Sequence, residues 1–143
     1  MVGFKINKSL SFFDSKVVMS ATDKATRRVL GRFGAFVRRT AKSSIRKSKK
    51  SAVAGKPPRS HTGLLKKYIF FGYEPTTQSV IIGPTPLPSK DSATLLRIEE
   101  GGTTTITRRG RTTAARYAPR PFMGPAFEKE KPKVAQMWAD QIR

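Results

Sequence analysis

Between Val18 and Arg46 the chain repeats small or apolar residues at Val18, Thr22, Ala25, Val29, Phe33, Phe36/Val37, Thr40 and Ser44. Stepped at about 100° per residue, these positions fall on one broad stripe, the pattern of an amphipathic helix. Lys24, Arg27, Arg28, Arg32, Arg38, Arg39, Lys42 and Arg46 fall on the other side. Such a helix must bury its stripe against the rest of the chain and turn an almost purely cationic face outward. Ser20 or Thr22 is placed to cap its start, and Asp23 suits the positive end of the dipole. Gly31 and Gly34 each weaken the helix by about 1 kcal/mol relative to Ala. That cost makes sense where a second element packs close to the helix backbone.

The rest of the chain has to supply the partner for that stripe. With 143 residues, it fits one domain spanning residues 1–143. Nine Phe, three Tyr and one Trp provide bulky core material. The absence of cysteine excludes disulfides, thiolate metal sites and cysteine nucleophiles. No run of about 18 apolar residues occurs, so no membrane-spanning helix is expected. Met1-Val2-Gly3-Phe4-Lys5-Ile6 lacks the apolar run of a secretory signal, and no such leader is expected.

Phe4 and Ile6 alternate with polar neighbours as in a short strand. After the helix, Lys47, Lys49 and Lys50 stand among serines, and Pro57-Pro58 forbids helix. Residues 47–60 are therefore expected to form a flexible arm. Tyr68-Ile69-Phe70-Phe71-Gly72-Tyr73 and Ser79-Val80-Ile81-Ile82-Gly83, separated by a Pro-containing turn, predict an antiparallel hairpin. A proline-rich connector, Pro84 to Pro88, leads to a short helix over 93–100 that Gly101-Gly102 stops. Thr103–Thr107 and Thr112–Arg116 flank Arg108-Arg109-Gly110-Arg111, which predicts a second hairpin with a cationic tip and makes 103–116 a second candidate arm. From Pro125 to Ile142, Phe127, Val134, Met137, Trp138 and Ile142 recur at helical spacing, and Pro132 should kink this helix or begin a new one. The expected fold class is α+β: a small antiparallel sheet of two hairpins packed against a long N-terminal helix, a short middle helix and a C-terminal helix.

Enzymatic signatures are thin. His61 is the only histidine and reads as an ordinary turn residue beside Thr62-Gly63. Glu99 and Glu100 are adjacent on a short helix, so they point in different directions and read as helix-end contacts with solvent. No glycine spacing matches a phosphate-cradling loop. No enzyme activity, cofactor or metal is expected. What stands out is charge. The chain holds 29 Lys+Arg against 9 Asp+Glu, a formal +20, and residues 1–60 hold 16 of the cations and only 2 of the acids. Such a balance attracts polyanions, either nucleic acid or an acidic protein surface. Lys47, Lys49, Lys50, Arg108, Arg109, Arg111, Arg116 and Arg120 are the candidate interface or polyanion contacts. The cationic helix face reads equally as a nucleic-acid footprint or as a solvated face. Base stacking is disfavoured, since Phe33, Phe36, Tyr68, Phe70 and Phe71 fall mainly on expected core faces.

The order of segments resembles the head–tail joining family of long-tailed phages, also called neck, tail-completion or minor tail proteins. The matching residues are Thr62-Gly63-Leu64-Leu65-Lys66-Lys67-Tyr68-Ile69, then Val80-Ile81-Ile82-Gly83, then Ile98-Glu99-Glu100-Gly101-Gly102-Thr103. They end with Tyr117-Ala118-Pro119-Arg120-Pro121-Phe122-Met123-Gly124-Pro125-Ala126-Phe127. The likeness runs over residues 20–143. The doubled Gly101-Gly102, the long Thr/Arg hairpin and the high charge depart from the family pattern. The resemblance implies a structural virion protein, assembled in the host cytoplasm, that forms a homo-oligomeric ring at the head–tail interface. Its implied partners are copies of itself, connector or portal-side proteins, and the tail tube or tail terminator, with non-specific contact to DNA in the channel and none to membrane. It carries over no catalytic residues. The alternative from a different class is a basic nucleic-acid-binding protein of ribosomal or nucleoid type.

Overall fold

The computed structural model describes residues 15–85 and 98–142. The expected Phe4–Ile6 strand, most of the Pro84–Pro88 connector and the greater part of the middle helix lie outside the described residues; of that helix, residues 98–100 are described and are helical. In chain order the elements are α1 (Ser15–Ser44), β1 (Arg46–Lys47), β2 (Arg59–Ser60), α2 (Leu64–Lys67), β3 (Ile69–Glu74), β4 (Ser79–Pro84), β5 (Gly102–Arg108), β6 (Arg111–Tyr117), α3 (Met123–Glu130) and α4 (Lys133–Ile142). The fold is α+β, with a long N-terminal helix, two antiparallel hairpins and C-terminal helices.

Helix α1 is the spine. Its buried ridge runs Val29, Phe33, Val37, Ala41 and on to Ile45, each one turn beyond the last. The stripe is thus real from Val29 onward, and at its far end it drifts from the expected Thr40 and Ser44 to Ala41 and Ile45. Its first turns are different: Val17 and Met19 are 64% and 65% exposed. Against the ridge pack β3, β4, α3 and α4, with Leu65, Ile69, Phe122, Ala126 and Met137 completing the core. Burying these side chains fully contributes about 1.5–3 kcal/mol each for the larger ones.

In the β3–β4 hairpin, Phe71 pairs with Ile82 and Tyr73 with Val80. Because strand side chains alternate, these four share one face, and the hairpin lays it across α1. Gly34 makes the approach possible. A Cβ at that position would stand 2.8 Å from both a Phe71 ring carbon and a Val80 methyl. At Gly31 the corresponding space is open. Gln78, at the hairpin turn, ties the far end down by donating to Asp23 Oδ1 at 2.8 Å.

The two hairpins do not join into one sheet. Each is a separate two-stranded ribbon, and a third, parallel pair joins β1 to β2. The extensive packing of β5 and β6 is with each other, so this ribbon stands off the body. The final helix breaks between α3 and α4 at Lys131-Pro132, where proline's missing N–H and ring preclude a continuous ladder.

Gly34→Val should destabilise the fold by about 1–3 kcal/mol, since side chains of two strands must retreat together. Gly31→Ala should stabilise it by up to about 1 kcal/mol through helix propensity alone. Urea unfolding of the two variants beside the parent checks both signs.

Candidate functional site

Two surfaces carry the cations singled out from the sequence. Lys47, Lys49 and Lys50 are exposed where the chain leaves β1. Arg109, Arg111 and Arg116 are exposed on the β5–β6 ribbon, whose strand pairing sets Arg108 opposite Arg111. Arg120 differs from the rest. It is half buried, and its Nε donates to the Ala52 carbonyl at 3.1 Å, so it serves as a brace within the fold and is not a free contact.

That brace also changes the picture of residues 47–60. Expected as a flexible arm, the segment is tied to the body at several points. Gly55 N donates to the Pro119 carbonyl at 2.9 Å, the Ala52 carbonyl accepts from Arg120, and Ala52 and Pro58 are buried, while within the segment Ser48 N donates to the Ser60 carbonyl at 3.2 Å. The reason is that Pro57-Pro58 forbids helix but does not forbid packing, and distant backbone and guanidinium groups supply the bonds the segment cannot make itself. A small cleft lined by Ser51, Ala52, Pro58, His61, Tyr117 and Arg120 marks where the base of the ribbon meets this segment. His61 is exposed in a turn.

Gly101 sets the ribbon's exit from the body. Its φ is +77°, and an added Cβ would meet Tyr117 O and Pro119 N at 2.9 Å, so only glycine fits there. At the far end, Arg109 and Gly110 have φ of 51° and 76°, the two left-handed residues of a tight hairpin turn. An arginine in that conformation is uncommon and strained.

Glu99 is the largest correction to the sequence reading. Expected as a solvent contact, it instead caps α3. Its Oε2 accepts from Phe122 N and Met123 N at 2.9 and 3.1 Å, and its Oε1 accepts from Gly124 N at 2.9 Å. A carboxylate on three orphan amides at the positive end of a helix is a strong placement. Glu100 is exposed. No local signal shows this cap, because the carboxylate comes from more than twenty residues upstream, not from the residue before the helix.

Two further charged groups shape the body. Glu130 is buried, accepting from Thr40 Oγ1 at 2.7 Å and from Lys133 Nζ. The Lys133 bond first and the Thr40 bond second hold its carboxyl below the ordinary value. Lys42 is held below the ordinary lysine range by burial, and then by the positive charges of Arg38 and Lys66. Arg38 meanwhile donates through Nε to the Ile69 carbonyl at 2.7 Å and lies over the Phe70 ring. The α1 face is therefore crowded with like charge where β3 begins.

Apolar surface is also left open. On the outer face of the first hairpin Phe70 and Ile81 are 46% and 66% exposed, contrary to the expected core placement of Phe70. An open cleft of about 370 Å³ lies between β4 and α3, lined by Val37, Val80, Ile82, Met123 and Phe127. Among the described residues no group of three His, Asp or Glu side chains is placed to hold a metal ion, and no helix is long and apolar enough to cross a membrane. Comparison with protein-family models, with curated proteins and with solved structures gives no match. The arrangement is equipped to bind: cations and apolar surface face outward, and the best-placed carboxylates are bonded within the fold.

Glu99→Ala should cost about 1–2 kcal/mol in stability, as loss of a helix cap does, read by urea unfolding. The acid dependence follows from Glu130. Its folded pKa lies below its unfolded value, so it stabilises the fold above the unfolded value and that contribution is lost as pH falls through the folded one. Glu130→Gln should lower the melting temperature at neutral pH and shrink the further loss on acidification below about pH 4.

Proposed function

We propose that this chain is a structural, non-enzymatic subunit of a phage head–tail connector, one copy in a homo-oligomeric ring between connector and tail tube. The observation that carries this reading is the Glu99 cap. Two of the matching segments of the resemblance, Ile98–Thr103 and Tyr117–Phe127, are bonded to each other through that carboxylate. Their joint occurrence in the sequence thereby acquires a physical cause: the Glu of one segment completes the helix that the other begins. Exposed apolar residues support assembly as well. Phe70, Ile81 and Phe127 suit contact with neighbouring copies or with the connector and tail proteins above and below, since ring subunits bind through unlike, head-to-tail surfaces. The doubled glycine and the long ribbon belong to the departures from the family pattern. They bear on which neck layer the subunit would occupy.

Removing the protein from the phage that encodes it should leave filled heads and complete tails that fail to join, seen by negative-stain electron microscopy. Normal joined virions would defeat the reading. Mass measurement of the purified chain together with its neck partners should reveal a closed multimer.

A further inference from the structure

We propose that the β5–β6 ribbon is an arm for double-stranded DNA, gripping backbone phosphates along the major groove without reading bases. Its side chains and its shape carry the inference. Residues 102–117 contain four arginines and no acidic residue. Six steps of about 3.4 Å along a strand carry the tip about 20 Å from the ribbon's base. A B-form major groove, about 12 Å wide, admits a two-stranded ribbon of this kind.

The cations are distributed for a groove. Pairing places Arg116 opposite Thr103, on the face shared with Thr105, Thr107 and Thr112. Arg111 lies on the opposite face by strand alternation, and Arg109 is exposed at the tip. Phosphates line both walls of a groove, so cations on both faces and at the end of a ribbon find partners at once. Among the described residues no further strand joins either edge of this ribbon. Its outward N–H groups and the hydroxyls of the exposed Thr103 and Thr105 add to the donor set that contacts phosphate.

An acidic protein is the weaker fit. Protein interfaces centre on buried aromatic or aliphatic anchors, whereas the ribbon holds one large aliphatic residue, Ile106, and beyond the half-buried Tyr117 at its base carries no aromatic residue. The same lack disfavours single-stranded nucleic acid, which is held by stacking bases on aromatic rings. The strained Arg109 agrees. Asparagine would suit the left-handed turn better, and in its place the chain carries a cation at the most protruding point.

The test uses the full chain and fluorescence anisotropy with a duplex of about 30 base pairs, the matching single strand and polyglutamate, between about 50 and 200 mM salt. One variant combines Arg109→Asn, Arg111→Gln and Arg116→Gln; asparagine before Gly110 favours the same turn, so the ribbon is kept while its charge is removed. A control of equal charge loss combines Lys24→Gln, Arg28→Gln and Arg32→Gln on α1. The ribbon variant should lose at least about tenfold in duplex affinity, with a salt slope shallower by about 2–3, at about 0.9 per phosphate contact. The α1 control should change affinity less than about threefold, and the parent should prefer duplex to single strand. Equal losses in the two variants, undiminished duplex binding by the ribbon variant, or tighter binding of polyglutamate than of duplex would each overturn the proposal. If the triple variant does not fold, Arg109→Asn alone must fold at least as well as the parent and flatten the slope by about 1; an unchanged slope overturns the arm. The inference rests on the ribbon itself and not on a place in a neck, so joined virions in the deletion experiment would leave it standing.

Discussion

The apolar ridge of α1 is the constraint from which the rest follows. Val29, Phe33, Val37, Ala41 and Ile45 line a seam against which the first hairpin and the two C-terminal helices pack, with Leu65 and Phe122 completing the core. Burying that seam turns Lys24, Arg27, Arg28, Arg32 and Arg39 outward, since burying a charged head without a partner costs far more than burying an aliphatic chain gains, while the half-buried Arg38 has the Ile69 carbonyl as its partner. Close packing is possible because Gly34 leaves room for Phe71 and Val80 at the crossing. Among the described residues apolar surface at Val17, Met19 and Ile81 remains outside the core.

Several of the few acids make bonds within the fold. Glu99 caps α3 and Glu130 is buried between Thr40 and Lys133. Asp23 accepts from Gln78, and Glu128 pairs with Lys131. Among the described residues the ion pairs are Lys131–Glu128 and Lys133–Glu130, both between near neighbours on the C-terminal segment. Glu99 and Glu130 thus join segments far apart in the chain, as Arg38 and Arg120 do through backbone carbonyls.

The ribbon and the 47–60 segment are built on opposite principles, although both are polar and basic. The 47–60 segment is held by bonds to the backbone of 118–120 and by the Arg120 brace. The ribbon is held by its own ladder, by Gly101 at the base and by the Arg109-Gly110 turn at the tip. An isolated two-stranded hairpin is only marginally stable in water. A surface that orders it on contact would add stability as well as affinity.

The sequence alone determined whatever depends on periodicity and on strong local breakers. The helix over α1 with its cationic back, both hairpins, and the break at Pro132 are legible because side-chain period and proline geometry act within a few residues. Tertiary structure decided what depends on residues far apart in the chain. That Gly34 and not Gly31 marks the crossing, that Glu99 caps a helix begun at Phe122, and that Arg120 braces residue 52 could not be read locally. In each case the partner lies dozens of residues away or more than twenty, and no spacing rule connects the two. The same holds for the 47–60 segment: a polar, basic composition suits a tethered segment as well as a free arm, and the bonds of Gly55 and Ala52 to residues 119 and 120 decide for the tether.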